Sequence, residues 1–268
     1  MKSVHMATGK HDGFWNMAFD RLLMEQVSLG RWSFVLRTYG WDPACVSIGK
    51  LQKPSREIDI QKLLSHGYGL VRRPTGGRAV WHESELTYSI VAPRDHPAVS
   101  GPITEALRKT SAPMLSAIRS LGIPAEANPS ERHNAGGPRM EANPCFTSHG
   151  RWEIGSSDGR KMVGSAQARS RGVFLEHGSI LFGNDQPKML EYMPETVSPR
   201  LKDMLRRHLS TGIAFLREFS PGLTMEEMEA ALRKAFSEAL GEELEAYPYR
   251  ELRGSRLREL EMECRDDL

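Results

Sequence analysis

The chain has 268 residues, 39% of them hydrophobic and 26% charged, a balance that excludes a disordered tail and a membrane-embedded protein. Its 36 Lys and Arg face 34 Asp and Glu, a formal net charge of +2, so no general nucleic-acid coat is present and neither a nucleic-acid nor a membrane partner is expected. Three cysteines, Cys45, Cys145 and Cys264, are odd in number and too widely spaced for a CxxC pair, and no signal-peptide-like apolar run opens the chain, which predicts free thiols in a reducing, cytoplasmic setting.

In chain order, the first predicted element is a helix over residues 13–29, with Trp15, Ala18, Phe19, Leu22 and Leu23 on one apolar face. Alternation in SFVLRTY (33–39) and ACVSIG (44–49) predicts two strands. A short helix over 59–65 stops at Gly67. GLVRR (69–73), a PTGG turn and RAVWH (78–82) then read as a hairpin, followed by the strand LTYSIV (86–91). A helical zone spans 102–121, with Ile103, Leu107, Met114, Ile118 and Leu121 on one face and Gly122 as the cap. Pro113 is expected to divide or kink it.

Residues 126–143 hold Pro129, Gly136, Gly137 and Pro138 and almost no large apolar side chain. A structureless stretch of that length inside a compact domain is either functional or disordered, and this one delivers the chain to Cys145. Strands are expected at RWEIG (151–155), KMVGSAQA (161–168) and GVFLEHGSILF (172–182). From Pro187 onward the pattern is helical. Thr224 with Glu227 makes a capping box and Leu223 with Met228 a hydrophobic staple, opening a helix that runs to Gly241. The charged end of the chain is expected to be a solvated or frayed helix in which Cys264 is incidental. Strands cluster between residues 33 and 182, which argues an α+β fold with a mostly antiparallel sheet, in one domain over 1–268.

Several motifs are absent or misleading. There is no GxxxxGK[ST] loop, no GxGxxG after a strand and no HExxH. Gly155-Ser156-Ser157-Asp158-Gly159 matches GxSxG, but strands flank it on both sides, so it reads as a hairpin turn rather than a nucleophile elbow. His82 and Glu83 are adjacent on a strand and point apart, so His82, Glu83 and Glu85 are not expected to hold a metal.

Four segments do suggest chemistry. In Arg72-Arg73-Pro74-Thr75-Gly76-Gly77-Arg78-Ala79-Val80-Trp81-His82, the paired glycines let backbone N–H groups approach an anion or a carbonyl oxygen. The same residues also suit a plain turn with solvated arginines. In Lys161-Met162-Val163-Gly164-Ser165-Ala166-Gln167, small residues inside a strand mark close approach of a ligand beside a lysine. An edge-strand lysine is the alternative. Asn143-Pro144-Cys145-Phe146 puts a thiol on a polar loop, where a nearby cation would favour the thiolate. It could equally be an idle thiol. His177-Gly178-Ser179 repeats the glycine signal beside a histidine that is either satisfied in the core or set against a ligand.

Together, the opening FWNMAFD helix, the RRxxGGxxVxH turn, the KxxGxAQ strand and the HGSIL strand resemble the biotin/lipoate protein ligase and octanoyltransferase superfamily. The resemblance covers roughly residues 10–245. It implies a class II synthetase-like catalytic fold, a mixed, mostly antiparallel sheet flanked by helices, with a core over about 30–245 and a helical C-terminal part over 187–268. A Cys ahead of KMVGSAQ is similar to the octanoyltransferases whose nucleophile precedes the lysine. By that resemblance Cys145 is the acyl-thioester nucleophile and Lys161 the cation that activates it. Octanoyl would come from acyl carrier protein on phosphopantetheine and pass to a lysine of lipoyl domains such as glycine cleavage H protein or E2 subunits, with no ATP and no metal as cofactor. Arg73, Gly76, Gly77, Arg78, Val80, His82, Gly164, Ser165, Ala166, Gln167, His177 and Gly178 are the expected substrate-binding residues. Val80, Leu86, Val163 and Phe146 would wall an acyl tunnel, and Arg72, Arg73 and Arg78 would meet acidic carrier proteins. The competing readings are an ATP-dependent lipoate–protein ligase, octanoyl transfer between two lipoyl carriers, a non-catalytic homologue, and a Cys–His hydrolase using His149 or His133.

Overall fold

The computed structural model describes residues 1–127 and 152–268. It begins with β1 (Lys2–His11), α1 (Gly13–Ser28), β2 (Trp32–Trp41), β3 (Cys45–Ile48), α2 (Pro54–Glu57) and α3 (Ile60–Ser65). Next come β4 (Gly69–Arg72), β5 (Val80–His82), β6 (Glu85–Pro93), α4 (Ile103–Ser120), β7 (Ala125–Ala127) and β8 (Ile154–Ser156). β9 (Val163–Ser170), β10 (Val173–Leu181), α5 (Pro199–Thr211), α6 (Leu216–Phe219), α7 (Met225–Leu240), β11 (Glu245–Ala246) and α8 (Ser255–Asp266) complete it.

The central sheet is mixed, in the order β11-β1-β2-β6-β10-β9. The pairings of β2 with β6, β6 with β10 and β10 with β9 are antiparallel, whereas β1 runs parallel to both β2 and β11. Period-two alternation sorts the side chains between its faces. On β6, Leu86, Tyr88, Ile90 and Ala92 turn to a core shared with Met114 and Ile118 of α4 and Met228, Leu232 and Phe236 of α7. On the other face Val35, Tyr39, Val91 and Leu175 pack with Phe19, Leu22 and Leu23 of α1, behind which lie Leu257, Leu260 and Cys264 of α8. A second sheet, ordered β4-β3-β5, stands over part of this α1 face.

Local signals explain the helix starts. Asp12 caps α1 by accepting the Trp15 N–H at 3.0 Å. The Thr224–Glu227 capping box forms in both directions, and Leu223 and Met228 are both buried in one cluster beside it.

The structure departs from the sequence reading at several points. Residues 69–82 are not a hairpin: β3 lies between β4 and β5, parallel to one and antiparallel to the other. The crossover through α3 makes the parallel pairing possible. β1 was not anticipated, since KSVHMATGKH mixes charged, small and apolar residues. α4 runs through Pro113 as one helix, with Pro113 on its buried side, so packing outweighs the lost hydrogen bond. Ile103, expected on the apolar face of that helix, is 64% exposed. The charged C-terminal helix is not merely solvated, because Leu257, Leu260 and Cys264 form a buried stripe against α1.

Candidate active site

A pocket with about 420 Å3 of empty space, part of it open to solvent, lies between the α1 face of the central sheet and the small sheet. Met17 of α1, Tyr39 and Trp41 of β2, Ser47 of β3, Arg73 just after β4, Val80 and His82 of β5, Thr87 of β6, Gly164, Ser165 and Ala166 of β9, and His177, Gly178 and Ser179 of β10 line it. Three of the four segments singled out in the sequence therefore meet here, each from a different strand.

Two buried chains of hydrogen bonds brace the polar part of the wall. In the first, Asp20 and Arg37 form an ion pair at 2.7 Å with both side chains wholly buried. Asp20 also accepts from Ser89 Oγ at 2.8 Å and Tyr39 Oη at 3.3 Å and lies 3.4 Å from His177 Nδ1. His177 Nε2 is 2.6 Å from Thr75 Oγ1. Burial by itself would raise the Asp20 carboxyl, but Arg37 and His177 overcome it and hold the carboxyl below its usual range. Burial lowers the His177 imidazole against the pull of Asp20. An ionised Asp20 can only accept, so His177 Nδ1 carries the proton and Nε2 accepts from the Thr75 hydroxyl.

In the second chain, Glu85 Oε1 accepts from His82 Nδ1 at 2.8 Å, Thr87 Oγ1 at 2.5 Å and Ser179 Oγ at 2.8 Å. His82 Nε2 lies 2.7 Å from Ser47 Oγ, the His82 ring stacks on Trp41 at 4.1 Å, and Trp41 Nε1 donates to Thr87 Oγ1 at 2.7 Å. With Ser165 Oγ 2.7 Å from the Tyr88 hydroxyl, every polar side chain of the wall has a partner within the protein. A ligand chain entering this space meets no unpaired donor or acceptor there, so the lining behaves as an apolar surface.

Glycine is required at two of the expected positions. A Cβ on Gly178 would stand 2.3 Å from the Gly164 carbonyl oxygen and 2.9 Å from the Tyr88 ring. That vacancy lets Tyr88 reach across β10 to Ser165. Gly77 has φ +93°, and a Cβ there would meet the Arg73 guanidinium at 2.7 Å.

Arg73, Val80, His82, Gly164, Ser165, Ala166, His177 and Gly178 line the cavity, while Gly76, Gly77, Arg78 and Gln167 do not. The glycine turn wraps Arg73 instead, whose guanidinium is buried and donates to the carbonyls of Gly76, Arg78 and Ser47. Arg72 is spent in the same way, on the carbonyls of Gly49, Lys50, Gln52 and Asp267. These two arginines are braces, not rim charges for a carrier protein. Leu86 and Val163 point into the α4–α7 core rather than the cavity. Gln167 turns to the same side, donating to Glu176 at 2.8 Å.

Lys161 sits just before β9, bridged to Gly155 and Ile213, and is 1% exposed, with Nζ 2.8 Å from Glu153 Oε1. Glu153 is close enough to Tyr88 to add to the rise in its phenol pKa, which burial dominates. Lys161 thus lies off the cavity lining, near the end where Ser165 stands. Cys145, Phe146, His133 and His149 fall outside the described residues. Of the other thiols, Cys45 and Cys264 are buried, and burial pushes both well up from the ordinary range. The Ser157-Asp158-Gly159 stretch is a turn after β8. Glu83 pairs with Lys188 at 2.7 Å, away from His82, and among the described residues no group of three or more His, Cys, Asp or Glu is placed to hold a metal ion.

A model of the lipoyl protein ligase A/B catalytic domain matches residues 12–237. The chain belongs to that family. It is 42% identical to octanoyltransferase LipM of Kyrpidia tusciae, over 89% of this chain and 87% of that one. To octanoyltransferase LipM of Staphylococcus aureus it is 36% identical over 97% and 95% of the two chains, and to that of Bacillus subtilis 35% over 90% and 87%. The chain is an acyltransferase of protein lipoylation. Among solved structures, a bipartite lipoate protein ligase from Thermoplasma acidophilum, studied with its E2 lipoyl domain, superposes with a TM-score of 0.75 at 22% identity over 99% of this chain and 92% of that one. A lipoate-protein ligase A bound with ATP gives 0.72 at 22% over 99% and 95%. These two likenesses establish the fold, the mixed sheet flanked by helices expected from the sequence. Among the described residues no helix is long and apolar enough to cross a membrane.

The expected site residues did not include Met17, Asp20, Arg37, Tyr39, Trp41, Ser47 and Thr87, nor Thr75 and Ser179, which stand inside the segments singled out, nor Glu85, which was weighed only as a metal ligand. A signal for two of them was present: Asp20 interrupts an apolar helix face and Arg37 an apolar strand. Opposite charges in neighbouring buried elements are rarely left apart.

Proposed function

We propose that the chain, acting as one catalytic domain, takes an octanoyl group from octanoyl-acyl carrier protein and delivers it to a lysine of a lipoyl domain through a thioester on Cys145. The observation that carries this reading is the cavity: a slot whose polar side chains are all paired within the protein, which suits an unsubstituted acyl chain. The relatives named octanoyltransferase, at 35–42% identity over about nine-tenths of the chain, support the acyl group.

In this reading the Cys145 thiolate attacks the donor carbonyl, the carbon–sulfur bond to phosphopantetheine breaks, and the departing thiolate takes a proton from the Lys161 ammonium, leaving that amine neutral. A neutral lysine amine then attacks the enzyme thioester, the carbon–sulfur bond to Cys145 breaks, an amide forms, and the proton lost by the amine passes to the neutral Lys161, restoring its ammonium beside the Cys145 thiolate. Thioester exchange is close to isoenergetic and amide formation drives the second step, so neither step calls for ATP. Lys161, beside the Ser165 end of the cavity, favours the thiolate form of Cys145. The backbone N–H of Ser165, which faces away from β10 on the edge strand, is the oxyanion donor of this scheme, a contribution of about 3 kcal/mol.

The test is to incubate the protein with octanoyl-acyl carrier protein and an apo lipoyl domain, without ATP, and weigh all three by mass spectrometry. The expected result is an octanoyl adduct on Cys145 in the enzyme, chasing into the lipoyl domain, with Cys145→Ser inactive and folded. An active enzyme whose Cys145 never carries octanoyl overturns the covalent scheme.

A further inference from the structure

That reading names an eight-carbon acyl group without saying which residues set its length, and the register of the central sheet bears on the question. Four residues that line the cavity stand directly opposite one another across four strands: Gly164 on β9 pairs with Ser179 on β10, Ser179 with Thr87 on β6, and Thr87 with Tyr39 on β2. Direct partners share a face, so this row forms a floor that crosses the strands. The side chains on it are none, small, small and then large. The Gly164 end borders the half-buried edge residues Ser165 and Ala166, whereas Tyr39 and its neighbours Trp41 and Met17 are between 1% and 4% exposed. The cavity is therefore open at β9 and blind at β2.

Strand spacing sets its length. Three inter-strand steps of about 4.8 Å place Gly164 about 14 Å from Tyr39. Contact with the end wall takes up about 4 Å of this, which leaves about 10 Å. A saturated chain advances about 1.25 Å per bond, given carbon–carbon bonds of about 1.5 Å at tetrahedral angles. On the same bond length, octanoyl measures about 9 Å from carbonyl carbon to methyl and decanoyl about 11 Å. The floor accepts the first and stops the second.

Of the three side chains at the blind end, two are fixed by hydrogen bonds, Tyr39 to Asp20 and Trp41 to Thr87. Met17 has no polar atom to fix, comes from α1 rather than the sheet, and lies one turn before Asp20. An unbranched thioether fills such a gap and its volume can be changed without stranding a donor. We infer that Met17 is the gauge of acyl length: it closes the β2 end of the slot against chains longer than eight carbons. This rests on the reading of the cavity as the acyl site.

The experiment compares the wild type with Met17→Ala, Met17→Leu and Met17→Phe. Hexanoyl, octanoyl and decanoyl carrier proteins compete for transfer to the lipoyl domain, with product masses giving the kcat/KM ratios. Binding of free hexanoate, octanoate and decanoate is measured in parallel by calorimetry, which needs no turnover. One methylene in an apolar pocket is worth about tenfold or more. Met17→Ala is expected to raise the decanoyl-to-octanoyl ratio at least about tenfold, and Met17→Phe to lower the octanoyl-to-hexanoyl ratio by a similar factor. Met17→Leu, which conserves volume, is expected to keep the wild-type ratios. Should Met17→Ala fail to fold, Met17→Phe against Met17→Leu carries the comparison. Ratios within twofold of wild type in folded Met17→Phe and Met17→Ala overturn the gauge while leaving octanoyl transfer intact. Length-dependent binding that follows Met17 in a protein unable to take octanoyl from the carrier overturns the donor instead and upholds the gauge.

Discussion

Replacing Glu176 with glutamine should remove a pH dependence that the wild-type protein carries in its stability. Glu176 is wholly buried on the α4 side of β10 and accepts from Tyr88 Oη at 2.9 Å, Thr110 Oγ1 at 3.0 Å and Gln167 Nε2 at 2.8 Å. No cation is among these partners. Burial wins over the three hydrogen bonds and raises the carboxyl from 4.5 to about 7. Gln167 Oε1 has no partner, and a half-turn of that amide would point it at Glu176 as the acceptor for a carboxyl proton. Between these two values the folded protein keeps a proton that the unfolded chain releases. Folding stability from this group is thus complete below the unfolded value and is lost as pH rises through the folded one. The shift corresponds to about 3 kcal/mol, of which roughly 2–3 kcal/mol falls between pH 5 and pH 8. Urea unfolding of wild type and Glu176→Gln at those two pH values gives the double difference directly. His5, His11, His96 and His177, which burial lowers, change protonation in both proteins and cancel. A double difference under about 0.5 kcal/mol would mean that Glu176 is ionised in the fold and the argument fails.

Two further outcomes follow from the site's packing. Asp20→Asn leaves the Arg37 guanidinium buried without its counter-charge and should cost about 3–5 kcal/mol in urea unfolding, whereas replacing both residues by apolar ones of similar volume should cost less. Equal losses in the single and double variants would show that Arg37 is not stranded. Gly178→Ala forces a methyl group into the Gly164 carbonyl and the Tyr88 ring, so it should lose about 2 kcal/mol or more and shift β9 away from β10. An unchanged melting temperature with full transfer activity would show that Tyr88 can leave Ser165 at no cost.

Much of the site was legible because its chemistry writes small residues into strands. Gly164, Ser165, Ala166 and Gly178 stand out only because strand interiors otherwise disfavour them, and they do line the cavity. The arginine turn was read less well. Its glycines are explained by a buried guanidinium rather than by a ligand, a distinction that depends on the register of β3 against its neighbours, which no local pattern encodes. The same blindness produced the false hairpin: β4 and β5 are close in sequence, yet each pairs with β3. The contribution of α1 was half visible. Its apolar face predicted the helix, but the polar pair Asn16 and Asp20 and the cavity-facing Met17 take their meaning from Arg37 and Tyr39 on the next strand.

The chain closes its central sheet with its two ends. Val4 and His5 of β1 pair with Glu245 and Ala246, the Tyr247 N–H donates to the His5 carbonyl, and Lys2 reaches Glu245 at 2.9 Å. A ribosome emits the first of these segments long before the last. Through that interval one border of β1 stays unzipped, a template for stray strands that only the late-arriving residues can cap.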